Sequence, residues 1–309
     1  MSFKTKRYYV VAALMLLAIG PPIPATALPL TYLASYGSGT ACTQSQPCSD
    51  FGAAYTATDA GGEIVCLNSG PYNLSIAFPK SLTLNCPGGI GNTLLFGTSG
   101  GNSTQFLRIY GMTFVPAASN GDGIQVDGGN VLFENCRIEN FPNVPGLLIQ
   151  AYNYVSTITI KNSTIWNNVK GNILVESQKP ISLVLDRTTV AGGLYGIRAD
   201  GNSAYGSGQI DVEVRDSFLG HHTNNGVLAV SDNAPIHFKV TRSTLADNGV
   251  YGAVATGTQA FMIVDGSSLT KNGTGLAQLS GSTVATYGNN GINFNATNTS
   301  GTITPITPK

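Results

Sequence analysis

The chain has 309 residues, with 16 Lys and Arg balanced by 16 Asp and Glu. Only 10% of residues are charged, so no basic patch is available to neutralise phosphates, which argues against nucleic acid as a partner. The 38 glycines, the Asn/Ser/Thr punctuation and the alternating β-branched residues point to all-β structure with many turns.

Residues 1–27 read as a secretory signal peptide. Lys4, Lys6 and Arg7 precede an apolar run from Tyr8 to Ile19, and Ala25-Thr26-Ala27 offers small residues for cleavage. The run is short for a membrane span, and no later segment is apolar enough to be one. The mature protein is therefore expected to be secreted, periplasmic or at the cell surface, with no membrane partner. Export permits disulfides. Cys42 and Cys48 flank a short loop containing Pro47, and Cys66 and Cys86 each lie two residues after an apolar residue, Ile64 and Leu84. If those two strands stack, the second pair of Cα atoms comes within roughly 5 Å, close enough to bridge. Cys136 is left over and reads as a buried, inert thiol.

Residues 28–62 should hold a strand over Thr31–Ser35, the cysteine loop and a short capping helix. In FGAAYTAT, Phe51, Ala54, Tyr55 and Thr58 share one helical face, with Ser49 as the expected N-cap and Gly61-Gly62 as the stop. Such a helix would cover the open apolar end of a solenoid. Short strands follow at EIVCL, SLTLNC and FLRIYGMTF. From Val131 the chain repeats itself: VLFENCRI (131–138), ITIKNSTI (158–165), LVLDRTTV (183–190), VEVRDSFL (212–219), FKVTRSTL (238–245) and MIVDGSSL (262–269). The last apolar residues of these copies are spaced by 27, 25, 29, 26 and 24 residues. Each copy is followed by a turn and a glycine with an aliphatic residue at or next to it: Gly146, Gly171, Gly196, Gly226, Gly252 and Gly275. This period means stacked supersecondary units that cannot bury their apolar faces singly.

More than one short alternating strand per repeat, and no helical periodicity after residue 60, favour a parallel β-helix of about nine rungs over residues 63–294. A Thr- and Pro-rich tail, 295–309, would cap the far end or fray. Phe133, Ile160, Leu185, Val214, Val240 and Val264 form one inward column, and Ile138, Ile165, Val190, Leu219, Leu245 and Leu269 another. Between them runs an outward column of alternating sign, Glu134, Lys161, Asp186, Arg215, Thr241 and Asp265, explained by cross-strand charge pairing. Cys136 belongs to a column of small residues with Ser163, Thr188, Ser217, Ser243 and Ser267. The sequon at Asn162-Ser163-Thr164 would fall inside a core strand and is not read as a glycan site.

The opening YLASYGSGTACTQSQPC, followed by SDFGAAYTATDAGGEIVCL and SLTLNC, resembles secreted bacterial β-helix proteins of the pectin-lyase-like superfamily. That resemblance implies an all-β fold, a single right-handed parallel β-helix with a short N-terminal capping helix. It implies no one activity, because the superfamily spans lyases, hydrolases, esterases, epimerases and non-catalytic surface proteins. The chain lacks the Asn-Thr-Asp, Asp-Asp and Gly-His-Gly signatures of polygalacturonases and the Trp-Ile-Asp-His signature of pectate lyases, so no catalytic residue carries over.

A candidate site comes from the strand after the repeated glycine. Aligning Ile124/Val126, Leu147/Ile149, Ile173/Val175 and Ile197/Ala199 as inward pairs makes Asp127, Gln150, Glu176 and Asp200 the next column, with Arg198 on the same face as Asp200. Two neighbouring carboxylates are the minimum for acid–base glycoside cleavage, which would make Glu176 and Asp200 catalytic. The carboxylates of Asp127, Glu176 and Asp200 are also a minimal oxygen-ligand set for Ca²⁺. With calcium holding a uronate, Arg198 could serve as base in β-elimination, the scheme that the resemblance to polysaccharide lyases suggests. Tyr152, Tyr154 and Tyr205, on variable loops leaving this strand, would grip sugar faces, with Asp127 and Gln150 as substrate contacts. A solvated acidic face is the plain alternative. His221-His222 reads as a surface turn without a third metal ligand, and Trp166 as a partly covered turn residue. The expectation is thus a protein recognising an acidic extracellular polysaccharide, with lyase- or hydrolase-like cleavage as its enzymatic form. A non-catalytic carbohydrate-binding or structural surface protein is the alternative.

Overall fold

The computed structural model describes residues 27–74, 77–78, 80–92, 94–96, 104–116, 123–204 and 206–307. The expected signal peptide, apart from Ala27, and Tyr205 lie outside the described residues. The chain winds as a right-handed parallel β-helix with three sheets running along its axis, of 12, 10 and 10 strands. The first sheet begins with Leu28–Leu33 and Thr58–Cys66 and ends with Ala260–Asp265, Thr283–Thr286 and Ile303–Pro305. Each rung gives one strand to this sheet, a short one to the second (Arg137–Glu139 and Thr164–Trp166, for example) and one to the third (Leu147–Ile149 and Ile173–Val175). The strands continue beyond residue 294, since Thr297–Ser300 and Ile303–Pro305 add to the third and first sheets.

Side-chain alternation sets this arrangement. In Gly129–Glu134 the burial alternates strictly, with Val131 and Phe133 inward and Asn130, Leu132 and Glu134 outward. Register stacks Phe133 on Ile160, Leu185, Val214, Val240 and Val264, all at 0% exposure, so the expected inward column is the core. The outward column of alternating charge is also in register, but among the described residues its direct ion pairing is confined to Asp186. That carboxylate, 5% exposed, lies 3.5 Å from Arg215 and 3.1 Å from Arg187.

At the N-terminal end a helix, Phe51–Ala57, buries Phe51 and Ala54 over the core, packing on the first two strands of the first sheet. Its N-cap is Asp50 rather than Ser49: the Asp50 carboxylate accepts the Ala53 N–H at 2.6 Å. It ends at Thr58, whose hydroxyl bonds to Thr31 at 2.7 Å and whose backbone already extends, so Gly61-Gly62 lie inside a strand and do not stop the helix. Both expected disulfides form, Cys42–Cys48 and Cys66–Cys86, with Cα separations of 4.7 and 4.6 Å. Cys136 is free and buried, and desolvation pushes its thiol up to about 11, which keeps it protonated and inert.

Two hydrogen-bonded ladders run through the corners. In the first, the Ser163 hydroxyl accepts the Cys136 N–H at 3.1 Å, Ser217 that of Thr188 at 3.0 Å, and Ser243 and Ser267 continue at 3.1 Å each. The residues just before this column, Asn135, Asn162, Arg187, Asp216 and Arg242, have φ between 45 and 56° and turn the chain. Asn162 is exposed at that corner and not inside a strand, because the left-handed turn separates the two strands there.

The second ladder is asparagine. Asn168 accepts the Phe141 N–H at 3.0 Å, Asn272 the Asn248 N–H at 3.1 Å, and Asn295 the Asn272 N–H at 2.9 Å. The amide nitrogens of Asn168, Asn248, Asn272 and Asn295 donate to the carbonyls of Ile138, Leu219, Leu245 and Leu269. His222 occupies one step of it, contrary to the surface turn expected: it is 2% exposed, with Nδ1 2.7 Å from Asn248 Oδ1 and Nε2 3.1 Å from Asn172. His221 alone is the turn residue, exposed and at φ 59°. The repeated glycine exists to make room for this ladder. A Cβ on Gly146 would come within 2.5 Å of Asn168, on Gly196 within 2.9 Å of His222, and on Gly226 within 2.9 Å of Asn248.

Two outcomes follow for stability. Gly252→Ala would set a methyl 2.8 Å from Asn272 Nδ2 and 2.7 Å from the Gly275 carbonyl, whereas Gly291 has nothing within 4 Å. Denaturant titration should show Gly252→Ala costing about 1–3 kcal/mol and Gly291→Ala far less. Burial, opposed by the Asn248 hydrogen bond and helped by His221, lowers the His222 imidazole from 6.5 to about 4. The unfolded chain then binds a proton that the folded chain refuses, so stability is full above pH 6.5 and is lost as pH falls towards 4, by about 3 kcal/mol in all. His222→Asn, which restores the ladder residue, should flatten the melting temperature over that pH window relative to wild type. An equally steep variant would show that the buried imidazole is not the cause.

Candidate functional site

The strands Ile124–Val126, Leu147–Ile149, Ile173–Val175 and Ile197–Asp200 are neighbours in the third sheet, and Val126, Ile149, Val175 and Ala199 are in register. The next residues, Asp127, Gln150, Glu176 and Asp200, therefore fall in one column at the edge of that sheet, spaced by about 4.8 Å per rung. Arg198 is one of the outward residues of the same strands, flanked in register by Leu174 and Leu228.

The column is not a loose solvated face. Gln150 and Asp200 are only 5% and 7% exposed. Each carboxylate has its own donor. Gln125 Nε2 donates to Asp127 Oδ1 at 2.7 Å, and the Gln150 amide donates to Glu176. Arg198 donates from Nε at 3.1 Å and from Nη2 at 2.5 Å to Asp200 Oδ2, while Asp200 Oδ1 accepts the Asn202 N–H at 2.9 Å. Burial pushes the Asp127 carboxyl up, partly offset by the Gln125 amide. The Tyr152 hydroxyl donates to Gln150 Oε1 at 2.7 Å, which ties the loop to the column. Tyr154 is half-buried on the same loop. Among the described residues no group of three His, Cys, Asp or Glu side chains could hold a metal ion, so Asp127, Glu176 and Asp200 do not assemble as the expected Ca²⁺ ligands. The reason is geometric: they occupy three different rungs, and each is engaged by a neighbour.

Tyr195 joins the site unexpectedly. It is 7% exposed, and its ring fills the space that a Cβ on Gly171 would occupy, 2.2 Å from Cζ. Burial pushes its phenol up to about 12, with Arg198 opposing the shift and Glu176 and Asp200 adding to it. The sequence signal was its position immediately before the repeated Gly196. Trp166 ends the strand Thr164–Trp166 in the second sheet, 41% exposed, and takes no part.

Chemically, the column offers amide and guanidinium donors in fixed positions, with the Arg198 side chain 41% exposed. Its Nη1 makes no bond among the described residues and remains for a ligand oxygen.

No curated protein sequence matches this chain. Among solved structures, it is similar to the crystal structure of pectate lyase Pel9A, with a TM-score of 0.55 and 17% identity, over 84% of this chain and 78% of that one. At that identity the likeness is one of fold. Residues 96–292 match the family described as the right-handed β-helix region, which covers most of the rungs, and the chain belongs to that family.

Proposed function

We propose that this protein binds an acidic extracellular polysaccharide at the edge of the third sheet, where Arg198, Asp127 and the Tyr152–Tyr154 loop face the polymer and the buried Gln150 holds Tyr152 and Glu176 in place. The observation that carries this reading is the Arg198–Asp200 pair. It fixes a half-exposed guanidinium at the edge of the sheet, and a guanidinium pairs with uronate carboxylates in two-point fashion. Two disulfides accord with an extracellular setting, and a structural neighbour is a pectate lyase. Tyr152 and Tyr154 supply rings beside the column, as sugar-binding loops do.

Cleavage of the same polymer is a second reading, favoured by one observation: Glu176 and Asp200 stand on adjacent rungs, about 4.8 Å apart along the axis. Neighbouring carboxyls are the minimum equipment for acid–base cleavage of a glycosidic bond. Asp200, held in place by Arg198 and the Asn202 N–H, would be the nucleophile or base, and Glu176 the acid.

Incubation with polygalacturonate and alginate, with and without Ca²⁺, tests both. Arg198→Ala should weaken binding about tenfold or more, with circular dichroism verifying that the variant is folded at the assay temperature. Unchanged affinity in that variant would remove the third-sheet edge from the contact surface. Under the cleavage reading, new reducing ends appear and are lost in Glu176→Gln and Asp200→Asn with binding retained. Affinity without product leaves binding as the function.

A further inference from the structure

A second organised cluster lies on the outward face of the first sheet, away from the column just described. Strands Ile210–Arg215 and Ile236–Thr241 are adjacent there, and their register sets Asp211 opposite His237 and Glu213 opposite Lys239. These four side chains surround a shallow cavity of about 220 Å³ that extends to Ser182 and Val184 on the preceding strand. His237 Nδ1 lies 2.9 Å from Asp211 Oδ1. Gln209 Nε2 donates to both oxygens of that carboxylate, at 3.0 and 2.9 Å. Facing an acceptor carboxylate, a neutral imidazole donates from Nδ1 and presents Nε2 as its acceptor; the Gln209 Nε2 also lies 3.4 Å from Nδ1. On the other side, Phe261 stands edge-on to the imidazole with centroids 6.3 Å apart. Lys239, two residues along the same face and about 6.6–6.8 Å away, makes no ion pair among the described residues. The charged groups around His237 are Asp211 and Glu213 on the preceding strand and Lys239 on its own. The following strand sets Phe261 opposite it and Ile263 beyond.

We propose that His237, oriented by Asp211 and assisted by Lys239, activates water to hydrolyse carboxylic esters of the acetyl class carried on the hydroxyls of the bound polysaccharide. The choice of carrier rests on the function proposed above, whereas the chemistry does not. Nε2 takes a proton from water as the water oxygen bonds to the acyl carbon, and the carbonyl pair moves onto its oxygen, where the Lys239 ammonium stabilises it. Collapse of this intermediate breaks the bond to the sugar oxygen, which takes the proton back from Nε2. One water is consumed, and a carboxylic acid and a free hydroxyl are released. Asp211 and Gln209 act as positioning residues. Ester hydrolysis is favoured over abstraction of a proton from carbon because the His237 side chain is 54% exposed. An imidazole so open to solvent has water at hand and lacks the dry, charge-neutralising surroundings that a carbanion needs.

The full chain is assayed on p-nitrophenyl acetate and on O-acetylated pectin, with p-nitrophenolate and acetate as readouts. The wild type should exceed equimolar free imidazole by about a hundredfold or more. His237→Gln should return the rate to the imidazole level and remove the acidic limb of the pH profile. Asp211→Asn should lower the rate even on the alkaline plateau, because an amide reverses the tautomer. Circular dichroism melts verify that each variant folds. A rate no greater than free imidazole, a rate unchanged in His237→Gln, or His237-dependent unsaturated sugar ends without acetate would each overturn the proposal. Affinity for de-esterified pectin is measured alongside. Its loss would count against the polysaccharide reading, while p-nitrophenyl acetate hydrolysis still decides the role of the dyad.

Discussion

The interaction on which this molecule depends is the buried side-chain amide that ties one rung to the next. A parallel solenoid must turn its backbone at every corner, and each turn leaves N–H and C=O groups that the sheets cannot pair. Asn168, Asn248, Asn272 and Asn295 satisfy such groups across rungs, donating to one backbone and accepting from another. The serine ladder does the same at the preceding corner with a hydroxyl. Buried polar groups paired in this way stabilise one register only, because a slip of one residue would leave every amide in the column unmet.

Much else follows from that constraint. The repeated glycine is fixed because the asparagine of the adjacent rung occupies the space where its Cβ would stand. Where that glycine sits one residue early, at Gly171, Asn172 enters the interior and bonds to Asn168, and the ring of Tyr195 closes over the gap. The ladder departs from asparagine at His222, and Asn172 meets that imidazole as well. The rung between these two departures carries Tyr195, Arg198 and Asp200 and has Gly193 where the ladder residue would stand, so the local departure from the repeat adjoins the candidate site.

The repeat, the inward columns, both disulfides and the register of the Asp127–Gln150–Glu176–Asp200 column are legible in the amino-acid order, because period and alternation are properties of the chain alone. What is hidden depends on side-chain reach. The asparagines three residues past Ile165, Leu245, Leu269 and Ile292 look like turn residues, and only the stacked rungs show that their amides point inward. His222 is misread for the same reason: beside His221 it looks like a polar turn, yet the left-handed turn at His221 swings the next side chain into the core. The helix cap is displaced by one residue: Ser49 and Asp50 have equal local claims, and the Asp50 carboxylate is the one that reaches the Ala53 N–H. The pairing of each carboxylate with its own donor is likewise invisible, since Gln125, Gln150 and Arg198 become donors only once the outward faces are set.

That pairing bears on how an acidic column could meet an acidic polymer. Bare carboxylates at about 4.8 Å intervals would repel a uronate, and desolvating them would cost more than the contacts return. Here Gln125 covers Asp127, Gln150 covers Glu176, and Arg198 covers Asp200. The carboxylates are turned to internal use: they hold two amides and a guanidinium in fixed orientation, and the N–H groups not used inward are what a ligand would meet. Rigid, pre-oriented donors lose little entropy on binding, which is how such an edge would select for oxygen-rich anions. The acidic residues would then act on the polymer chiefly through Arg198. On this argument the donors determine affinity, and the carboxylates determine where those donors stand.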